Sequence, residues 1–164
     1  MTSRPELVRI AQPADEPALY AHLVTLHVHN PLGVPMSEAK VRRVVHECCH
    51  HENYRLAGVI DGPPGIVASV GVGFGEFWFS DDKYLHETWV YVQPGHRANG
   101  YADDLKDFLL WYREQLKSDV DGHLPDLVSS VTSVTRLPAK LRWWGSWARQ
   151  VGGIFVVSDR THRV

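Results

Sequence analysis

Residues 90–105 read VYVQPGHRANGYADDL, and the parsing of the whole chain follows from this stretch. A β-branched and aromatic run stops at Pro94, a turn passes through residues 97–100, and an amphipathic helix begins. Strand, loop and helix N-terminus follow one another with no linker between them. Such a junction aims unpaired backbone N–H groups at one point, with the positive end of the helix dipole behind them, and that suits a phosphate. Gly100 and the small Ala102 allow a ligand close to the backbone, while Arg97 adds a charge able to make paired hydrogen bonds.

Working outward, Leu105, Phe108, Leu109, Tyr112 and Leu116 recur at spacings of three and four, so a helix is expected over 99–117. Upstream, residues 56–60, 66–74 and 84–92 are strand-like, and DGPPG between the first two is a hairpin connection, so three antiparallel strands are expected. Before them lie a short strand at 6–10 and a helix capped by Asp15 that runs to about residue 29, with Leu19, Leu23 and Leu26 at helical spacing. NPLGVP breaks that helix. Ser37 caps a second one, to about residue 51, whose apolar face carries Val41, Val44, Val45 and Cys48. Past the long helix, a strand at 127–134, a tryptophan-rich helix at 138–150 and a closing strand at 153–157 are expected.

With 164 residues and no internal repeat or linker, one α/β domain over 1–164 is expected, long enough to bury roughly two-thirds of its unfolded surface. Seventeen basic residues against 19 acidic ones leave a net charge of -2, which gives no global drive toward nucleic acid or an anionic membrane. Residues 136–164 are the exception, with six basic residues against Asp159 alone. The only cysteines, Cys48 and Cys49, are adjacent, which disfavours a disulfide scaffold. No apolar leader and no membrane-length apolar run occurs, so the cytoplasm is the expected compartment and no membrane partner is expected.

Arg97, Gly100 and Ala102 match the Gln/Arg-x-x-Gly-x-Gly/Ala signature of the Gcn5-related N-acetyltransferase (GNAT) superfamily, and Val92-Gln93-Pro94 stands upstream as is usual there. In this stretch and in its order of elements the chain resembles that superfamily. The resemblance implies a mixed, mostly antiparallel central sheet flanked by about four helices. It further implies an acetyl-CoA site, with pyrophosphate on the amides of Arg97, Ala98, Asn99, Gly100, Tyr101 and Ala102, and pantetheine pairing along Tyr91 and Val92. Two features depart from the pattern: Asp103 and Asp104 bring negative charge to the first helical turn, and Ala98 stands where many relatives have glycine.

Acyl transfer to an amine needs a base for the amine and a donor for the developing oxyanion. His86 and Glu87 occupy the strand from which relatives project a carboxylate, and they point to opposite faces unless a bulge shifts the parity. Glu87 is favoured narrowly. The tyrosine that protonates the leaving thiolate in many relatives has no counterpart in LRWWGSWARQ, which offers Trp143, Trp144 and Trp147, with Ser146 or water as substitutes. The resemblance thus implies acetyl transfer to a primary amine of a small molecule or protein by direct attack in a ternary complex. The alternative is a GNAT-fold protein that binds a protein or RNA and does little or no chemistry. A homodimer is left open.

HECCHH, residues 46–51, invites a metal reading, because His46 and His50 are one helical turn apart and Cys49 lies three from His46. Without a second cluster at ligand spacing, a polar helix end over a partly buried Cys48 is expected instead, and no metal. In the family reading, His46, His50 or His51 could touch the acceptor. The tryptophans interleaved with Lys140, Arg142 and Arg149 could stack on RNA, but their helical spacing favours core packing.

Overall fold

The computed structural model of the chain describes residues 5–30, 34–63, 65–79, 81, 83–116, 124–130 and 135–150. Among these, β1 (Arg9–Ile10), β2 (Leu56–Gly62), β3 (Gly65–Glu76), β4 (Lys83–Val92) and β5 (Asp126–Ser129) form one sheet in that order. Successive strands through β4 pair antiparallel, and β5 joins β4 in parallel. Helices α1 (Glu16–His29) and α2 (Glu38–His50) precede β2, α3 (Tyr101–Gln115) follows β4, and α4 (Leu137–Gly145) follows β5. The sheet is mixed and mostly antiparallel, with helices packed on it.

Local signals account for most boundaries. The Ser37 hydroxyl accepts from the Lys40 amide at 3.4 Å and starts α2, which ends where His51 turns left-handed at φ 57°. The first strand is shorter than expected because the Val8 amide turns back to the Pro5 carbonyl at 3.2 Å. The long helix starts two residues late, since Pro94–Asn99 coils as a 3-10 turn and Gly100, at φ 78°, redirects the chain into α3. The tryptophan helix stops at Gly145, which leaves Trp147 beyond it. The closing strand expected at 153–157, and 131–134 of the strand before it, lie outside the described residues.

Helices cover both faces of the sheet, so β3 is buried continuously from Ile66 to Gly73 rather than at alternate residues. On one face Leu105, Phe108 and Leu109 of α3 pack against Leu56, Ile60, Val70, Val72 and Leu85. On the other, Leu19, Leu23, Val45, Cys48 and Cys49 of α1 and α2 pack against Ala57, Val59, Trp89 and Tyr91. Leu85 belongs to the first core while Trp89 and Tyr91 belong to the second, although simple alternation would put all three on one face. The cause is a bulge. Gly71 and Val72, adjacent in β3, face Trp89 and Glu87 in β4, so Thr88 is an extra residue and the parity of the strand reverses there.

Candidate active site

Pairing between β4 and β5 ends at Glu87 opposite Ser129, and among the described residues β4 runs on through 88–92 with no strand paired to it on that side. A sheet splayed in this way exposes one edge of backbone N–H and C=O groups. A cavity of about 610 Å³ fills the gap, lined by residues 87–92 of β4, by Lys140, Trp143 and Trp144 of α4, by the C-terminal half of α1 and by the first turns of α2. Arg97 and Ala102 close the end nearest the loop.

Glu87 lines this cavity and is 7% exposed. Burial pushes its carboxyl up to about 7, against the opposing pull of the hydrogen bond from Ser129 and the charge of Lys140. Ser129 Oγ donates to Glu87 Oε2 at 2.5 Å and fixes the carboxylate in place. Lys140 is itself held below the usual lysine range, first by burial and then by the neighbouring Arg97 and Arg136. His86 is not among the lining residues; it pairs across to Gly73 and Val128, and burial with the nearby charge of Arg55 lowers its pKa. Carboxylate and imidazole thus take different surroundings one residue apart.

At the loop, the 3-10 turn engages its own amides in i to i+3 bonds, beginning with His96 N–H to Gln93 O at 2.9 Å. The amides of Asp103 and Asp104 both reach the Gly100 carbonyl. Among the described residues no backbone acceptor is found for the N–H groups of Gly100, Tyr101 and Ala102, which stand at the N-terminus of α3. The Asp103 carboxylate turns away from them, accepting from Trp143 Nε1 at 3.2 Å and from Lys106 Nζ at 3.5 Å. These residues fit a diphosphate: three convergent donors, the helix dipole, and no side chain bonded across them. Ala98 and Asn99 are exposed on the rim, and Arg97 folds back so that its Nε donates to the Val92 carbonyl at 3.3 Å.

Farther along β4, the Tyr91 hydroxyl lies 2.6 Å from His29 Nδ1, and burial raises its pKa. The ring also packs against His22, whose centroid is 4.8 Å away and which burial keeps neutral by lowering its pKa to about 4. Sequence reasoning passed over His29 and Ser129, because they meet Tyr91 and Glu87 across 62 and 42 residues of chain and carry no local signal. Ser146 donates to the Trp143 carbonyl at 2.6 Å and is not among the lining residues. His46, His50 and His51 are likewise absent from the cavity wall. Core packing holds for Trp144, which is half-buried against the core under α3 and also lines the cavity; Trp143 forms cavity wall, and Trp147 packs on both rings.

The architecture has counterparts among solved structures. A predicted acetyltransferase from Clostridium acetobutylicum, solved with acetyl-CoA, superposes with a TM-score of 0.67 at 16% identity over 93% of this chain and 94% of that one. The chain has the GNAT acetyltransferase fold. Two further structures share that fold with it. An aminoglycoside antibiotic 6'-N-acetyltransferase from Acinetobacter haemolyticus gives a TM-score of 0.64 at 15% identity over 93% and 97% of the two chains. A ribosomal-protein-alanine N-acetyltransferase from Brucella melitensis gives 0.65 at 14% over 92% and 98%. No protein-family model and no curated protein matches the sequence. No helix among the described residues is long and apolar enough to cross a membrane.

Proposed function

We propose that the protein transfers the acetyl group of acetyl-CoA to a primary amine, with Glu87 as the general base. The observation that carries this reading is the buried carboxylate of Glu87, held by Ser129 in a cavity that extends to Arg97 and Ala102, beside the open amides of the α3 N-terminus. The amides of Gly100, Tyr101 and Ala102 hold the diphosphate, with Arg97, Ala98 and Asn99 around it. The edge of β4 at Tyr91 and Val92, where β5 no longer pairs, receives the pantetheine arm as an added strand would be received, with Arg97 giving up the Val92 carbonyl. The acetyl-CoA complex of the Clostridium acetobutylicum protein of the same fold supports this choice of donor.

An acceptor amine enters from the side of α1 and α2, where His27, Lys40 and Val41 line the wall. Glu87, with a pKa near neutrality, takes the amine proton directly or through one water, and backbone N–H groups on the splayed edge of β4 steady the developing oxyanion. Attack is direct, in a ternary complex, with the Ser129 hydroxyl holding the Glu87 carboxylate rather than acting as nucleophile. Tyr91 keeps its proton at neutral pH and lines the same cavity, so it supplies the proton for the departing sulfur. Tyr91→Phe is therefore expected to lower kcat about tenfold while leaving KM for acetyl-CoA within twofold. An unchanged kcat takes the acid role from Tyr91. The acceptor is a small-molecule or protein amine, both represented among the proteins of this fold.

Calorimetry with acetyl-CoA tests the donor, and absence of binding up to millimolar ligand sinks the reading. Thiol release over a panel of amines then tests the chemistry. Gly100 gives a sharper probe of the cradle. A Cβ there would meet open space, but φ 78° penalises a β-branched residue, so Gly100→Val alters the backbone without a clash. The acetyl-CoA Kd is expected to rise at least tenfold. Gly95→Ala, equally uncrowded and free of the positive φ, should leave it unchanged. Equal affinities in both variants would remove the diphosphate from this loop.

A further inference from the structure

At the end of the α1–α2 pair away from the cavity, Glu16 in the first turn of α1 meets His46 and His50 in the last turns of α2. Glu16 Oε1 lies 3.1 Å from His46 Nδ1 and 2.7 Å from His50 Nε2, and the imidazole centroids are 4.1 Å apart. One ligand atom from each side chain falls within 4.8 Å of the others. A tetrahedral zinc ion with bonds of 2.0–2.1 Å separates its ligand atoms by about 3.3 Å, so small rotations about the side-chain torsions admit one. The donor set of two imidazoles and a carboxylate is one that zinc takes readily. All three side chains are about a third to a half exposed, which gives an ion a path in and leaves room for a water as fourth ligand.

We propose that Glu16, His46 and His50 form a zinc site that staples α1 to α2. Residues 46–50 read His-Glu-Cys-Cys-His, a spacing used by zinc hydrolases, in which the glutamate acts on the metal-bound water. Here that glutamate is committed elsewhere. Glu47 is paired with Arg55 Nε at 2.9 Å and accepts from Asn53 Nδ2 at 3.0 Å, so the site binds metal and has no base for hydrolysis. The cysteines do not contribute either: Cys48 and Cys49 are at most 1% exposed in the core beneath the helix, and the ligand cluster does not include them. The third ligand comes from 30 residues upstream, which is why the ligand spacing along the chain looks incomplete. This site stands apart from the acetyl-transfer cavity, and its fate is independent of that reading.

The test is titration of the tag-free, chelator-treated full chain with zinc chloride, followed by calorimetry and by the thermal midpoint. Binding of one zinc per chain with a raised midpoint is expected. His46→Gln, His50→Gln and Glu16→Gln should each weaken binding at least tenfold, whereas Glu47→Gln and the distant His96→Gln should leave it within twofold. Because any variant could be compromised in folding, X-ray absorption at the zinc edge on the wild-type complex gives an independent reading: nitrogen and oxygen neighbours with no sulfur. Absence of zinc binding at 100 times the protein concentration, wild-type affinity in the three ligand variants, a loss in Glu47→Gln, or sulfur among the zinc neighbours would each overturn the site.

Discussion

Glu87→Gln is expected to lower kcat/KM for amine acetylation by about 100- to 10,000-fold, the range that a lost general base usually costs. The substitution keeps shape and can still accept the Ser129 hydrogen bond, so the loss reports proton transfer rather than collapse of the site. In the wild type, activity should rise with pH up to about 7 and then level, because only the ionised carboxylate accepts a proton. In the variant that limb disappears. Retained activity, or an unchanged limb near 7, would transfer the role to another group.

The same substitution should act on stability with the opposite sign. The folded-state pKa of Glu87 is raised from 4.5 to about 7, so the folded form prefers the neutral acid. Its contribution is complete below the unfolded value and is lost as pH climbs through 7, an effect on the order of 3 kcal/mol for a group this buried. Glu87→Gln should therefore melt higher than the wild type at pH 8 and about equally at pH 4.5. An enzyme that retains a destabilising carboxylate at working pH trades stability for chemistry. Equal melting at both pH values would show that Glu87 is better solvated than its burial indicates.

Trp89→Ala carries the second large effect. The indole is 8% exposed, packs in the core under α1 and α2, and donates from Nε1 to Ser69 Oγ at 3.0 Å. It lies across Gly71, where a Cβ would collide with the ring, so glycine and tryptophan form a matched pair beside the bulge. Truncation should cost about 3–5 kcal/mol as a cavity, and stranding a fully buried serine hydroxyl adds about 1 kcal/mol. Trp89→Phe keeps most of the packing and should cost about 1–2 kcal/mol. Midpoints of urea unfolding read both. A loss under about 1 kcal/mol for the alanine variant would mean that the bulge does not depend on this ring. Since Trp89 also lines the cavity, the alanine variant should show a raised acceptor KM at temperatures where it is still folded.

Much of the fold was legible because its signals are local. Ser37 caps α2 through an amide three residues on, β2 and β3 pair antiparallel out to Gly62 opposite Gly65 as the DGPPG connection implies, and the spacing of Leu105, Phe108 and Leu109 sets the buried stripe of α3. The loop into α3 was legible for the same reason, since Pro94 lacks the N–H that would extend the ladder and Gly100 supplies the one positive φ the turn requires. Its donors were not fully legible. Residues 94–99 spend amides on their own 3-10 turn, a balance between local and ligand hydrogen bonding that residue types do not reveal.

The chemistry of the site was decided in three dimensions. Whether His86 or Glu87 faces the cavity depends on the bulge at Thr88, and a bulge is a mismatch of register with β3, a property of two strands that no single strand encodes. The environment that raises the Glu87 pKa is assembled from Ser129 on β5 and Lys140 on α4, and Glu16 reaches His46 and His50 only because α1 lies against α2. The sequence by itself determined the elements, their order and the backbone turn at Gly100, all governed by interactions spanning a few residues. Tertiary structure alone decided which side chains share a cavity and how strongly they are desolvated, because burial and cross-strand register are set by packing between segments far apart along the chain.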